Sequence, residues 1–171
     1  MAITQQQWAP LAQNEILKFA ILGSRGAIEI NPVTIDDEGR DLEVHRRGRF
    51  GTSLSLQVKS SATLYRYPHN DAYHLWLSVA LKRERVRSDP AYWYAIGYFS
   101  RDRLGIVDPV FLIPSAVFYR RCGRTLYRNH VQFSFQASLS PSSRDKWSAF
   151  KVPARQLGPR LLAILRDLER R

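Results

Sequence analysis

Residues 40–61 read RDLEVHRRGRFGTSLSLQVKSS. Two alternating runs flank an Arg/Gly turn. Leu42 and Val44 alternate with Asp41, Glu43 and His45; Leu54, Leu56 and Val58 alternate with Ser53, Ser55, Gln57 and Lys59. Strand side chains point to opposite faces with a period of two. The stretch therefore predicts a hairpin with one apolar face and with Asp41, Gln57 and Lys59 together on the other. Residues opposite each other in an antiparallel pair share a face only when their numbers sum to an even value. Asp41 opposite Gln57 and Asp41 opposite Lys59 both satisfy this, and either register puts the acid within reach of both partners. An acid, an amide and a lysine on one face form a chemical constellation; a polar strand face turned to solvent has the same pattern.

Upstream, residues 4–22 predict a helix. Trp8, Leu11, Ala12, Phe19 and Leu22 recur at helical spacing, with Glu15 in the middle of the stripe. A buried, unpaired carboxylate costs several kcal/mol. Glu15 therefore needs a partner, a raised pKa, or a place at the stripe's edge near water or a metal. Thr4 and Gln7 fit a capping box, and Gly23 and Gly26 end the helix. Residues 27–35 predict a strand interrupted by Pro32. Asp36, Asp37, Glu38 and Gly39 follow as an acidic turn, without the spacing of a calcium loop. The loop 46–51 carries Arg46, Arg47 and Arg49, three candidates for phosphate contact.

Downstream, residues 62–71 read as a loop, 73–81 as a strand and 82–87 as a basic connection. Residues 92–99 are apolar on both faces, as a central buried strand requires. A strand at 110–113 and a helical turn at 115–119 precede a second basic cluster of Arg120, Arg121, Arg124 and Arg128, interleaved with Tyr119 and Tyr127. Aromatic rings between arginines stack on bases or simply pack. A strand at 131–137, a Ser/Pro-rich loop at 138–144 and a helix at 159–170 complete the chain. Pro159 falls in that helix's first turn, and Leu161, Leu162, Leu165 and Leu168 form its stripe. With no repeat and no linker, residues 1–171 are expected to form one domain. The class is α+β, α/β/α-like: a mixed central sheet, an N-terminal helix, a three-stranded meander and a C-terminal helix.

The formal net charge is +11, with 21 Arg against 5 Lys. Such an excess favours a polyanionic partner, nucleic acid first and an anionic membrane surface second. Hydrophobic residues make up 44% of the chain, enough for an ordinary core. Cys122 is the one cysteine, which excludes an intrachain disulfide and a cysteine-based zinc site. The four histidines lack zinc-site spacing. No run of 18 apolar residues predicts a membrane span, and no basic segment followed by an apolar one predicts secretion. A cytoplasmic location is expected.

An acid-bearing helix, then a hairpin with Asp on its outer strand and Gln-x-Lys on the next, resembles the PD-(D/E)xK restriction-endonuclease-like superfamily in its glutamine variant. The residues carrying the resemblance are Glu15, the Gly39-Arg40-Asp41 step and Gln57-Val58-Lys59. It spans about residues 15 to 61 and is similar to the catalytic domains of modified-DNA restriction enzymes. The resemblance implies a nuclease cleaving DNA with Mg2+ or Mn2+. In it Asp41, the Gln57 amide oxygen and the Val58 carbonyl are metal ligands. Lys59 orients the attacking water and neutralises the phosphate, and Glu15 holds an outer water or a second, weaker metal. It also implies a homodimer where both strands are cut. Gln57 departs from the commoner pattern, because it supplies no charge where an acid usually stands. An inactive nucleic-acid-binding or protein-interaction module of the same fold is the alternative.

Overall fold

The computed structural model describes residues 5–33, 39–67 and 70–171. Helix α1 (Gln5–Gly23) leads into strands β1 (Ile28–Pro32), β2 (Leu42–Arg46) and β3 (Arg49–Ser61). Strands β4 (Leu64–Tyr67) and β5 (Asn70–Lys82) follow, then β6 (Tyr92–Ser100), β7 (Gly105–Pro114) and helix α2 (Ser115–Arg121). Strands β8 (Gly123–Tyr127), β9 (His130–Ser138) and β10 (Lys151–Val152) precede helix α3 (Leu157–Glu169). The class is α+β, with the predicted terminal helices and three-stranded meander in place.

The first sheet has the order β1-β2-β3-β6-β7-β10. It is mixed: β3 and β6 pair in parallel, while its other pairs are antiparallel. A second, antiparallel sheet has the order β4-β5-β9-β8. Strand alternation explains the layering. On the hairpin Leu42, Val44, Leu54, Leu56 and Val58 are buried in one cluster with Trp8, Ala12, Ile16 and Ala20 of α1 and Leu161 and Leu165 of α3. Alternate residues of the next strands, Tyr94, Ile96, Phe111 and Ile113, face the other way. They pack on Leu75, Leu77, Phe133 and Phe135 of the second sheet, with Phe118 and Trp147. The mixed sheet is thus covered by helices on one face and partly by a sheet on the other. The Asp41–Gln57–Lys59 face of the hairpin belongs to the second side.

Several expectations are corrected. Residues 62–71 contain β4 and the start of β5 rather than a loop. Tyr65, Arg66 and Tyr67 lie exposed on an edge strand, so no alternation marked them. The second basic cluster includes a strand, β8, in which all five residues are exposed. Helix α3 starts at Leu157, whose side chain is fully buried. On α1 Trp8 and Ala12 are buried as predicted, but the two leucines of the predicted stripe are not. Leu11 is 45% and Leu22 69% exposed, while Ile16 and Ala20 are fully buried. The small Ala12 and Ala20 let the helix lie close on the sheet, and the larger Leu side chains turn outward. The acidic turn at Asp36, Asp37 and Glu38 and the cap at Thr4 lie outside the described residues.

Among the described residues, no helix is long and apolar enough to cross a membrane. Cys122 is buried, and burial pushes its thiol up to about 12, against a smaller opposing pull from Lys146. Such a thiol stays protonated near neutral pH and is not a nucleophile.

Candidate functional site

The register settles the parity question. Leu42 pairs with Leu56, so Asp41, one step earlier, stands beside Gln57. Asp41 is fixed from several directions. Its N–H donates to the Leu56 carbonyl at 3.0 Å, and its own carbonyl accepts from the Val33 N–H at 3.1 Å. The Gln13 amide of α1 donates to the same carbonyl at 2.9 Å. The side chain accepts a bond of its own, from the Val58 N–H to Asp41 Oδ2 at 2.6 Å. Strand β3 continues beyond the start of β2, so this N–H faces an edge where the ladder has ended. The carboxylate fills the acceptor position a strand carbonyl would otherwise take. The N–H and C=O of one strand residue point to the same neighbour. The Val58 carbonyl is therefore directed to the same edge as Asp41.

Gln57 projects from the opposite face of β3 to Leu56 and Val58, and it is only 5% exposed. Its amide oxygen lies 2.9 Å from the Tyr92 hydroxyl, which is also 3.0 Å from the Gly39 carbonyl. Gly39 sits at φ +81°, a left-handed conformation that favours glycine. The Gly39 carbonyl thus meets Tyr92 two residues before Asp41. Lys59 follows Gln57 on the same face by alternation, half-buried, about 7 Å further along the strand. Among the described residues its ammonium makes no ion pair. Tyr94 lies beside Tyr92, ring centroids 5.5 Å apart. Burial, reinforced by the neighbouring Tyr92 and Tyr119 phenols, pushes its hydroxyl far above the usual tyrosine range. It stays neutral and serves as packing rather than as an acid.

Glu15 is placed differently. Its carboxylate bonds to Lys18, one turn on, and a Cβ built on Gly105 would lie 2.8 Å from Glu15 Oε2. The structure therefore brings Asp41, Gln57 and Val58 together, with Lys59 next on the face. It gives Glu15 its own partner on α1, and the helix is tied to the site through Gln13, two residues earlier.

The arginines singled out in the sequence lie elsewhere. Arg46 pairs with Glu169 of α3, and Arg47 Nε is 4.0 Å from Glu29. With the exposed Arg49 they cluster at the β2–β3 turn, roughly 26 Å along β3 from Gln57. Arg121 donates to the Lys146 carbonyl and lies over the Phe150 ring, while Arg120 and Arg124 are exposed. Tyr92 and Gln13 carry the site's hydrogen bonds and were not marked by the sequence. The signal for Tyr92 is its even number, shared with the inward-facing Tyr94 and Ile96. Its use needs the parallel pairing of β6 with β3.

The donor set is all oxygen: one carboxylate, one side-chain amide and one backbone carbonyl. That chemistry suits a hard divalent cation such as Mg2+ rather than zinc. The Gln57 oxygen has a second lone pair beside the one directed at Tyr92. The residues fit such an ion with a single carboxylate. Accordingly, among the described residues no three His, Cys, Asp or Glu side chains gather closely enough to hold a metal.

The architecture is one that a nuclease uses. Over 99% of this chain and 100% of the other, it is similar to the bacterial homing endonuclease I-Ssp6803I, with a TM-score of 0.56 and 13% sequence identity. At that identity the likeness is one of fold. No protein-family model and no curated protein sequence matches the chain.

Proposed function

We propose that this chain is a divalent-metal-dependent nuclease that hydrolyses phosphodiester bonds in DNA. The observation that carries this reading is the Asp41 carboxylate held on the Val58 N–H beside Gln57. Next on the same face stands Lys59, which forms no ion pair among the described residues. Fold similarity to a homing endonuclease and the net charge of +11 support the reading. Bound Mg2+ or Mn2+ would neutralise charge at the phosphate and lower the pKa of water so that hydroxide is available near neutral pH. Asp41, Gln57 and the Val58 carbonyl hold it. Tyr92 fixes the Gln57 amide, and Lys59 places a positive charge where the phosphate oxygens gather negative charge. Glu15 orders water at the edge of the site. The reading takes residues 1–171 as one domain acting in the cytoplasm. A second copy is the partner when both strands are cut.

Asp41→Ala tests it. The variant is expected to lose magnesium-dependent nicking of supercoiled plasmid. Leaving the buried Val58 N–H unsatisfied costs it only about 1–3 kcal/mol, so it still folds. Wild-type nicking by a folded Asp41→Ala protein would exclude the assignment. Gly105→Ala tests Glu15 separately. Within 3 Å the added methyl meets only the flexible end of the Glu15 side chain. The melting temperature is expected to stay near wild type while plasmid nicking falls. Unchanged nicking removes Glu15 from the mechanism.

The uncharged Gln57 favours one second reading, a nucleic-acid-binding module without activity. It expects salt-sensitive DNA binding and no product with either metal.

A further inference from the structure

The basic connection after β5 has a place in the fold that its sequence did not indicate. It passes over the Gln57 side of β3 and closes an open cleft of about 560 Å³. Arg40, Arg85 and Arg87 line this cleft with Ser55 and Tyr92. Two acids also line it, but both have other partners. Asp89 Oδ1 accepts the Ala91 N–H at 2.7 Å, and Glu84 Oε1 lies 3.9 Å from Lys82 Nζ. Arg87 Nε donates to the Glu84 carbonyl at 3.1 Å, which fixes the guanidinium and leaves its terminal nitrogens for another acceptor. Among the described residues neither Arg85 nor Arg87 forms an ion pair. At one end the cleft reaches the candidate centre: Tyr92 is both its wall and the partner of Gln57. Ser55 lies one side-chain repeat, about 7 Å, before Gln57 on the same face. Guanidinium forks match phosphate oxygens in pairs.

We infer that this cleft is the channel for the substrate strand's sugar-phosphate backbone. Arg85 and Arg87 hold phosphates adjacent to the one cleaved, and Tyr92 separates them from Gln57. The inference rests on the nuclease reading and deepens it. It assigns backbone binding to the 82–87 connection instead of the arginine clusters at 46–49 and 120–124.

The test is binding of a fluorescein-labelled DNA duplex, read by anisotropy in Ca2+ across a range of NaCl concentrations. Each phosphate contact contributes about 0.9 to the slope of log affinity against log salt. Arg85→Ala/Arg87→Ala is expected to lower the slope by about 2 and weaken binding at low salt. The charge-matched control Arg160→Ala/Arg166→Ala, on the exposed face of α3, keeps the wild-type slope. Arg85→Lys/Arg87→Lys restores most of it. Should the alanine pair fail to fold, the longer Arg85→Gln/Arg87→Gln pair is read in the same way. A slope and affinity unchanged in the neutral pairs, in a protein that still cleaves DNA with Mg2+, overturns the channel and spares the nuclease reading. A slope reduced as expected, in a wild-type protein that never cleaves, supports the channel and overturns the nuclease reading.

Discussion

Gly158→Ala is expected to lower the stability of this protein more than any other single methyl addition to one of its glycines. At Gly158 the start of α3 touches the end of α1 backbone to backbone. A Cβ there would lie 2.2 Å from the Ser24 nitrogen, 2.4 Å from the Ala20 oxygen and 2.7 Å from the Gly23 carbonyl carbon. The contact is reciprocal, because a Cβ on Gly23 would meet the Arg155 oxygen at 3.0 Å and the Gly158 nitrogen at 3.2 Å. None of these atoms belongs to a side chain that can swing aside. The helices would have to separate by more than an ångström, lifting Ala20, Leu157 and Leu161 off the core they share with the hairpin. Overpacking of this kind costs about 3 kcal/mol. In a chain of this size that lowers the melting temperature by roughly 6–12 °C. Thermal unfolding followed by circular dichroism measures it. A Gly158→Ala protein melting with wild type would mean that the two helices do not meet as described. Gly105→Ala is the internal contrast: an even closer approach than at Gly23, but to a flexible carboxylate.

That contrast shows what sequence can and cannot carry. The hairpin was legible because its code is local. A period of two sorts residues 42–58 into faces, and parity allows Asp41 and Gln57 to meet. The register then selected the pairing with Gln57. Glycines such as Gly158 carry no comparable mark, since their role depends on which backbone arrives from 135 residues away. The same holds for Tyr92. Its hydroxyl finds Gln57 only because β3 and β6 pair in parallel, with the hairpin of β4 and β5 inserted between them. The edge strands β4 and β8 escaped notice for another reason. With most of their side chains exposed on both faces, they have no alternation to read. On α1 the pattern misled in a physical way. Hydrophobicity placed Leu11 and Leu22 inward with Trp8 and Ala12, whereas Ile16 and the small Ala20 complete the buried face. Glu15 consequently sits at the edge of the contact rather than at its centre, bonded to Lys18. The basic clusters were legible as charge, but charge alone did not distinguish Arg46, committed to Glu169, from Arg85 and Arg87 beside the cleft.

Lys59→Ala is expected to combine a large loss of activity with a small cost in stability. Lys59 is half-buried near the end of β3, on the face of Gln57 and beyond the Asp41–Val58 contact. Among the described residues no carboxylate neutralises it, so its removal leaves no orphaned partner charge. The fold should lose little beyond the packing of the aliphatic stem. The reaction should lose much more. Phosphodiester cleavage gathers negative charge on the phosphate, and a fixed positive group aimed at that charge in a partly dry site typically contributes about 10²–10³-fold in rate. Cleavage of duplex DNA under single-turnover conditions, with protein in excess and Mg2+ saturating, reports that step apart from binding. The rate is expected to fall by about that factor. The anisotropy binding curve should shift only by what a single phosphate contact is worth, about 0.9 in salt slope. Lys59→Arg should not rescue the rate fully, because a planar fork cannot stand where a compact ammonium turns toward water and phosphate together. A Lys59→Ala rate within twofold of wild type would remove the lysine from the chemistry. The Asp41–Val58 contact would then have to serve the reaction through the metal alone, which nicking by Asp41→Ala reads separately.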